Sequence, residues 1–237
     1  MRIAYGRHPR AVGFRVFSGG AKVGIDVVNR FRILPVANVS DAMNRMSAGG
    51  TLLRPMHAGG VLAGTAVTVK TRPGDNLMMH KAFDIAEPGD VIVVDAGGDV
   101  TNAMIGENAA AYAESLGLAG VVINGAIRDS AAIAARKFPI FAIGITHRGP
   151  YKDGPGEVNV PIAIDGMVIV PGDLMLGDGD GVVCVPRERA EEVYAAAFAK
   201  HQKDEEDARA VTEHKVKREW VDARLRELGC EFLTHQG

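Results

Sequence analysis

The stretch Gly-Val-Val-Ile-Asn-Gly-Ala-Ile-Arg-Asp-Ser-Ala, residues 120–131, contains the transition that decides the fold class. Its apolar first part is rich in Val and Ile and predicts a buried strand over 120–124, whereas residues 130–137 are typical of a helix. Arg128 and Asp129 therefore stand at a strand-to-helix junction. Open α/β sheets commonly place their ligand sites at such junctions, so this pair is a candidate functional site.

Two interpretations of Arg128 and Asp129 fit the motif about equally well. In the functional one, the guanidinium of Arg128 binds a substrate carboxylate through its bidentate fork, and Asp129 ligates a hard divalent cation. In the structural one, the two side chains form a local ion pair and Asp129 caps the helix that follows, which is an ordinary position for aspartate.

The surrounding sequence alternates between strand and helix patterns. Predicted strands cover residues 61–69, 91–95 and 138–143, and a helix over 107–116 ends at Gly117. This alternation predicts a layered α/β domain. If the helices at 107–116 and 130–137 run side by side, Glu107 and Asp129 could share one cation. Oxygen ligands of this kind favour Mg²⁺ or Mn²⁺ over Zn²⁺, although Glu107 could equally serve only its own helix dipole.

The tripeptide Pro-Gly-Asp occurs three times, at residues 73–75, 88–90 and 171–173. Pro and Gly suit a tight turn, and in the last two copies an apolar strand and a further aspartate follow. An internal duplication is one interpretation, and we favour repeated use of the same structural turn. Asp173, Asp178 and Asp180 resemble a calcium-binding loop only superficially, because the EF-hand spacing and its closing glutamate are missing.

The remaining segments predict a division into three parts. Residues 1–35 have little periodicity and predict an irregular lead-in, and residues 36–187 form the α/β core. Within the core, Ser40 or Asp41 is expected to cap a helix that Gly49 and Gly50 close.

The second half of the core contains an ordered loop over 149–165 and strands over 168–170 and 181–185. Residues 188–237 change in composition and predict a C-terminal arm of one long helix or two. Its polar stretch over 200–217 is typical of a helix that is solvated or packed on a partner, so we expect an oligomerisation arm.

Composition excludes several classes of protein. The 237 residues are 47% hydrophobic and carry a formal charge of −2, so neither a nucleic-acid partner nor an anionic membrane is indicated. No apolar run approaches the roughly 20 residues needed to span a bilayer, and no signal peptide is expected, which predicts a soluble cytoplasmic protein. Cys184 is interpreted as a small core residue. Glycine-rich nucleotide loops and a Gly-x-Ser-x-Gly elbow are missing.

Taken together, three motifs resemble the RraA-like family. They are the turn Gly106-Glu107-Asn108-Ala109, the stretch 120–129 that ends in Arg-Asp, and the segment from Pro171 to Pro186. The resemblance covers roughly residues 36–190. This family contains 4-hydroxy-4-methyl-2-oxoglutarate aldolases, which also decarboxylate oxaloacetate, and regulators of ribonuclease E activity.

The resemblance implies an α/β sandwich related to the swivelling phosphohistidine domain, assembled as trimers or hexamers. It implies an active site at a subunit interface that uses Mg²⁺ or Mn²⁺. Residues Gly106 to Ala109 would then bind substrate, with Glu107 acting on the metal through water. Arg128 would bind the substrate, and Asp129 would ligate the metal directly. A glutamate from a neighbouring subunit is also implied, and Glu205, with Glu206 close behind, is the best match.

The implied reaction is cleavage of a small 2-keto acid through a pyruvate enolate, stabilised by the divalent cation. The matched turns contain no lysine for a Schiff base, so the metal route is favoured. A non-catalytic regulator that binds a ribonuclease is the alternative, and the arm after Pro186 is expected to distinguish the enzyme from the compact regulators. A demethylmenaquinone methyltransferase, a label often attached to the family, lacks a nucleotide-binding loop here.

Overall fold

The computed structural model describes residues 13–46 and 49–233. It divides into two compact units, the first ending at Phe198 and the second beginning at Ala199. The first unit therefore extends beyond the predicted core boundary at residue 187. The helix that begins at Ala190 contributes its first residues, Ala190, Val193 and Ala197, to the interior of the first unit.

Within the described residues, the first unit is built on a mixed sheet of ten strands with a separate two-stranded hairpin. The strands are β1 (Phe14–Val16), β2 (Arg54–Pro55), β3 (Leu62–Thr71), β4 (Asp90–Asp95), β5 (Ala103–Ile105), β6 (Gly120–Ile127), β7 (Ile140–Ile145), β8 (Gly156–Val158), β9 (Ile162–Ile164), β10 (Met167–Ile169), β11 (Leu174–Asp178) and β12 (Gly181–Val185). Strands β9 and β10 form the hairpin. The main sheet runs in the order β1-β8-β3-β4-β6-β7-β2.

The centre of the sheet is parallel, as the alternation of strands and helices predicts. Strands β3, β4, β6 and β7 are parallel neighbours, whereas β8 and β11 both pair with β3 in the antiparallel sense. β3 is long enough for β11 to pair with its beginning and β8 with its end. The short β5 pairs in parallel with the last residues of β6, beyond the end of β4.

Helices cover the sheet and extend into the second unit. They are α1 (Ile25–Phe31), α2 (Val36–Ala42), α3 (Leu77–Ile85), α4 (Glu107–Ser115), α5 (Ser130–Ala134), α6 (Ala190–Thr212) and α7 (Glu219–Glu227). Gly117 adopts a φ of +72° just after α4, a backbone conformation that favours glycine, and this residue ends the helix as predicted.

Alternation along the central strands produces two buried faces. In β4, Ile92 and Val94 pack in the same cluster as α3, α4 and α5, whereas Val91 and Val93 pack in the cluster of the β9–β10 hairpin. Successive side chains of a strand point to opposite faces, so a strand covered on both sides is apolar throughout. This explains why the central strands read as unbroken Val and Ile runs.

The irregular lead-in predicted for residues 1–35 is wrong over its described part. Strand β1 pairs with β8, and helix α1 places Val28 and Phe31 in a core cluster with strands β11 and β12. Residues 1–12 lie outside the described residues. The buried apolar positions are spaced irregularly before residue 28, so sequence periodicity did not reveal them.

The predicted helix start at Ser40 or Asp41 is also wrong. Helix α2 begins after Pro35, and both polar residues lie in its last turn. Asn44 and Arg45 adopt positive φ just after the helix, so it ends well before Gly49 and Gly50. Ser and Asp are common at helix starts, but a proline before the first turn is an equally good start signal.

Other boundaries differ by smaller amounts. Helix α5 ends at Ala134 rather than near Lys137, and the loop predicted over 149–165 contains strands β8 and β9. Helix α3 was not predicted. The C-terminal segment forms two helices, α6 and α7, which is one of the two predicted arrangements.

The three Pro-Gly-Asp aspartates are all buried structural residues, in agreement with the favoured interpretation. Asp90 and Asp173 each accept the backbone N–H of the residue three positions earlier, at 2.8 Å in both turns. Asp75 accepts the N–H of Leu77 at 3.0 Å. The strands that follow Asp90 and Asp173 lie on opposite edges of β3 and run in opposite directions.

Cys184 is a core residue, as predicted. Its side chain is buried in the cluster that includes the β9–β10 hairpin. Burial, together with the nearby Asp173 carboxylate, raises the pKa of this thiol well above its ordinary value. An uncharged buried thiol is chemically inert.

The described part of the second unit is polar and exposed. Ion pairs follow its helices, among them Arg224 with Glu227, and the His201 imidazole lies 3.6 Å from the Glu205 carboxylate. Trp220 and Phe232 are exposed as well, and Arg226 lies over the Phe232 ring at 5.4 Å. The oligomerisation role stays a prediction. No helix among the described residues combines the length and the apolarity that crossing a membrane requires.

Candidate functional site

The candidate site lies where β5 and β6 end side by side. These strands are parallel, so their carboxyl ends reach the same edge of the sheet, and Gly106 follows one while Arg128 follows the other. The N–H of Arg128 donates to the carbonyl oxygen of Ile105 at 2.9 Å. This pairing brings the Gly106 turn next to the Arg-Asp motif, although Glu107 and Asp129 are 22 residues apart in the sequence.

Gly106 is required by close contact. A Cβ atom built at this position would lie 2.2 Å from Oδ2 of Asp129 and 3.0 Å from Nε of Arg128. Real Cβ atoms do not approach so closely, so any other residue would push the Arg-Asp pair away from the turn. The glycine of the turn and the charged pair therefore form one structural unit.

Asp129 does not cap the helix that follows it. It occupies the N-cap position of α5 in a left-handed conformation, with φ +55° and ψ +39°, and its side chain makes no cap hydrogen bond to α5. Its Oδ2 instead accepts the N–H of Glu107 at 3.0 Å, at the start of α4. The predicted cap of α5 is therefore wrong, because the carboxylate binds the start of the neighbouring helix instead. The predicted ion pair between Arg128 and Asp129 is present.

Both charged side chains are about half exposed. Arg128 and Asp129 have side-chain exposures of 44% and 46%, and Nε of the arginine lies 3.7 Å from Oδ2 of the aspartate. That separation allows attraction but not a short hydrogen bond. A Cβ at Gly149 would lie 3.0 Å from Nη1 of Arg128, so the loop after β7 also approaches the guanidinium.

Arg128 and Asp129 line a cleft of about 310 Å³. From the predicted turn, Gly106, Asn108 and Ala109 also contribute to its wall. The sequence did not indicate the rest of the lining, which comprises Asn76, His80, Phe83, Met104, Ile105, Tyr112, Pro150 and Lys152. The cleft thus combines an apolar wall with a few polar groups, which is usual for sites that bind small molecules.

Lys152 reaches the cleft from a loop that the fold holds firmly. Asp75 is fully buried, and its Oδ2 accepts the N–H groups of Asp153 at 3.0 Å and Gly154 at 2.6 Å. Arg72 contacts the carboxylates of both Asp75 and Asp153, at 2.9 and 2.6 Å. The first Pro-Gly-Asp turn therefore fixes the loop that carries Lys152.

Asn76 and His80 lie on the same side of the cleft, at and after the start of α3. The Asn76 amide donates to the carbonyl oxygen of Met104 at 2.8 Å, and its buried Oδ1 accepts no hydrogen bond from any described residue. Burial, with a contribution from the charge of Lys152, lowers the pKa of His80 below its ordinary value of about 6.5. His80 is therefore mostly neutral at pH 7.

The remaining predicted residues are placed less directly. Glu107 starts α4 and lies outside the cleft lining, and its carboxylate lies 3.7 Å from a guanidinium nitrogen of Arg136. Glu205 lies on α6 in the second unit, where it is exposed and 3.6 Å from His201. Glu206 is its exposed neighbour.

The donors fit a hard divalent cation only in part. Among the described residues, no group of three His, Cys, Asp or Glu side chains is close enough to hold a metal unaided. The half-exposed carboxylate of Asp129 is nevertheless held by the backbone N–H of Glu107, whose own side chain is also half exposed. Mg²⁺ commonly binds one or two carboxylates and keeps several waters, so this oxygen-donor set is compatible with Mg²⁺ or Mn²⁺.

Comparison with known proteins shows the family of this chain. The RraA-like family, described as Aldolase/RraA, matches residues 36–184. This chain belongs to the RraA-like family. One member, from Halalkalibacterium halodurans, is provisionally named a 4-hydroxy-4-methyl-2-oxoglutarate aldolase and is 42% identical over 190 residues. The match covers 80% of this chain and 90% of that protein.

Solved structures share the fold, and two serve as examples. An uncharacterized protein from Pseudomonas syringae pv. tomato str. DC3000 has a TM-score of 0.74 at 28% identity, over 82% of this chain and 96% of that one. RraAS2 of Streptomyces coelicolor, described as an unusual member of the RNase ES inhibitor RraA protein family, has a TM-score of 0.70 at 26% identity, over 78% and 97%. The relation to the swivelling phosphohistidine domain stays a prediction.

Proposed function

We propose that this RraA-like protein is a carbon–carbon lyase that cleaves 4-hydroxy-2-keto acids of the 4-hydroxy-4-methyl-2-oxoglutarate type and decarboxylates oxaloacetate. The observation that carries the proposal is the junction of the Gly106 turn with Arg128 and Asp129. Three separate features meet there, namely a half-exposed cation, a half-exposed carboxylate and a helix start, all beside one cleft. The name of the Halalkalibacterium relative supports an aldolase activity.

Arg128 holds the carboxylate next to the keto group. Its guanidinium offers parallel N–H donors that match the two oxygens of a carboxylate. The first N–H groups of a helix have no acceptor within the helix, and those of Asn108 and Ala109 belong to the first turn of α4. These N–H groups and the positive end of the helix dipole favour negative charge in the same cleft.

Asp129, with Glu107 beside it, would hold the divalent cation. The N–H of Glu107 restrains one oxygen of Asp129 and so orients the carboxylate. When bound, Mg²⁺ or Mn²⁺ supplies Lewis-acid stabilisation of the negative charge that develops on the keto oxygen. Glu205 of a neighbouring copy, or Glu206, would complete the site in a trimer or hexamer, since the described carboxylates near Asp129 are too few to do so.

One reaction course accounts for both proposed activities. In aldol cleavage, the 4-hydroxyl group loses its proton, the C3–C4 bond breaks, and its electron pair forms the enolate of pyruvate. In decarboxylation of oxaloacetate, loss of CO₂ from C4 leaves the same enolate, and a proton then adds at C3 in both cases. Arg128 keeps the carboxylate in place throughout, so the bond that breaks stays aligned with the keto group.

Pyruvate release tests the proposal directly. We expect the purified protein to release pyruvate from 4-hydroxy-4-methyl-2-oxoglutarate and from oxaloacetate with Mg²⁺ present, measured by a coupled lactate dehydrogenase assay. A chelator should abolish release and excess Mg²⁺ should restore it. Because oxaloacetate decarboxylates spontaneously with Mg²⁺, Arg128→Ala serves as the control. Release that is equal in this variant, or indifferent to the chelator, would contradict the proposed site.

A ribonuclease regulator is the second candidate, because RraAS2 is described as a member of an RNase inhibitor family. The predicted distinction by the segment after Pro186 stays a prediction. Inhibition of a ribonuclease that persists in Arg128→Ala, without pyruvate release by the wild type, would favour the regulator.

A further inference from the structure

We propose that Lys152 is the second substrate-binding cation of the cleft and binds the far carboxylate of a dicarboxylic 2-keto acid. The inference rests on the proposed function, in which Arg128 holds the near carboxylate. It assigns the residue that recognises the second carboxylate of the proposed substrates, since an acid with one carboxylate at each end satisfies both cations and a monocarboxylic 2-keto acid satisfies only one.

The position of Lys152 supports this role. It lines the same cleft as Arg128, and the start of its loop approaches the arginine at Gly149. The cleft volume of about 310 Å³ is at the small end of ligand sites, as suits an acid of five or six carbons. Phe83 and Tyr112 line the same cleft and offer an apolar surface to the middle of such a molecule.

The backbone on both sides of Lys152 is fixed. The N–H of Tyr151 donates to the carbonyl oxygen of Gly74 at 2.8 Å, and the carbonyl oxygen of Tyr151 accepts the N–H of Asn76 at 3.0 Å. On the other side, Asp153 donates its N–H to the buried carboxylate of Asp75. A cation presented from fixed backbone loses less conformational freedom on binding, so it contributes more to affinity.

The charge distribution of the cleft also favours a dianion. No described carboxylate forms an ion pair or hydrogen bond with the Lys152 ammonium group. The cleft lining contains two cations, Arg128 and Lys152, and Asp129 is its one carboxylate among the described residues. His80 is mostly neutral at pH 7, because burial and the Lys152 charge lower its pKa. A ligand with two negative charges therefore complements the lining.

Binding of two matched acids tests the proposal without reliance on turnover. 2-Oxoglutarate carries a second carboxylate where 2-oxopentanoate carries a methyl group, and neither contains a 4-hydroxyl. With Mg²⁺ present, we expect calorimetry to show that the wild type prefers 2-oxoglutarate by roughly 10- to 100-fold, which one charge-assisted hydrogen bond supplies. Lys152→Met should remove the preference, and Lys152→Arg should retain most of it.

Lys137→Met is the matched control, because Lys137 is exposed and lies outside the cleft lining. It should leave the preference unchanged. A wild type without the preference, or a Lys152→Met variant that keeps it, would overturn the role of Lys152.

Cleavage separates failure of this inference from failure of the proposed function. Wild type that releases no pyruvate yet shows a Lys152-dependent preference in binding would refute the lyase and support the inference. Pyruvate release from 4-hydroxy-2-oxoglutarate and 4-hydroxy-2-oxopentanoate with the same ratio of kcat/KM in wild type and Lys152→Met would support the lyase and refute the inference.

Discussion

Asp129 and Asp75 show how one residue type serves two purposes in this fold. Asp75 is fully buried, and its two oxygens accept three backbone N–H groups and contact Arg72. Asp129 is half exposed, and its carboxylate accepts one backbone N–H, on Oδ2 alone among the described residues. The first carboxylate is saturated by the protein, whereas the second keeps unused acceptor capacity at the edge of a cleft.

The difference shows which chemistry each carboxylate can perform. A buried carboxylate whose acceptor positions are occupied holds chain segments together. It cannot bind a ligand unless its hydrogen bonds to those segments are lost. A half-exposed carboxylate fixed by one bond is oriented and still available to a cation. Asp90 and Asp173, which are buried in the other two Pro-Gly-Asp turns, belong with Asp75.

The largest effect is expected for Asp129→Asn. Asparagine tolerates the left-handed conformation and still offers an oxygen to the N–H of Glu107, so the fold should be retained. Loss of the negative charge should reduce kcat/KM for pyruvate release by roughly 100- to 1000-fold. Steady-state kinetics with Mg²⁺ measures this loss, and urea unfolding at pH 7 measures stability.

Asp180→Asn is the matched control, because Asp180 is an exposed aspartate far along the chain from the site. It should change neither activity nor stability. If Asp129→Asn kept wild-type kinetics but unfolded more readily, Asp129 would belong with the structural aspartates and the comparison would break down.

Asp75→Asn should lower the stability of the fold, whereas Asp129→Asn should not. The amide replaces one acceptor oxygen by a donor that faces backbone N–H groups, and Arg72 loses its buried partner. We expect the free energy of unfolding to fall by about 2–4 kcal/mol, measured by urea denaturation. A change within about 0.5 kcal/mol, as expected for Asp180→Asn, would show that the loop does not depend on this carboxylate.

The stability effect of Asp75 should also depend on pH in a defined direction. Burial acts to raise the pKa of Asp75, but three backbone N–H groups and the charge of Arg72 outweigh it and hold the pKa below its ordinary value. The stabilisation is therefore complete above the unfolded pKa of about 3.9 and is lost as the pH falls through the lower folded pKa. The difference in unfolding free energy between wild type and Asp75→Asn should stay constant from pH 7 to about 5 and shrink below about pH 4.

The smallest effect is expected on the pKa of His80. This pKa shows whether the loop fixed by Asp75 brings the ammonium group of Lys152 close to the cleft. Burial is the main cause of the lowered pKa of His80, and the ammonium group of Lys152 adds to it. Lys152→Met should raise the pKa of His80 toward its ordinary value but not fully restore it. NMR titration of the imidazole proton signals measures this shift, and Lys137→Met should leave it unaltered. If the pKa of His80 were unchanged in Lys152→Met, the ammonium group of Lys152 would not lie near His80 in the cleft.

The sequence correctly predicted those helices and strands whose formation depends mainly on neighbouring residues. Val and Ile runs identified strands β3, β4 and β6, because a strand buried on both faces carries apolar side chains at every position. The start of α4 after Gly106 and its end at Gly117 were equally local. In contrast, β8 and β9 lie in a segment rich in Gly and Pro, and pairing or packing with distant chain elements defines them.

The same division holds for the candidate site. Arg128 and Asp129 could be selected from the sequence, because they stand at a predicted strand-to-helix junction, and Glu107 could be selected because it starts a predicted helix. The rest of the Gly106 turn was selected from its resemblance to the RraA-like family. Asn76, His80 and Lys152 could not be selected, since their own surroundings in the sequence resemble any turn or helix surface.

By itself, the sequence determined that an arginine and an aspartate follow a buried parallel strand at a helix start, because strand and turn preferences act over neighbouring residues. The tertiary structure decided which helix N–H the Asp129 carboxylate binds and which other residues line the cleft beside Arg128. Parallel pairing of β5 with β6 brings Asp129 to the N–H of Glu107, and the buried carboxylate of Asp75 ties down the loop that carries Lys152. Contacts between residues so far apart in the chain leave no periodic signal, so only the folded chain reveals them.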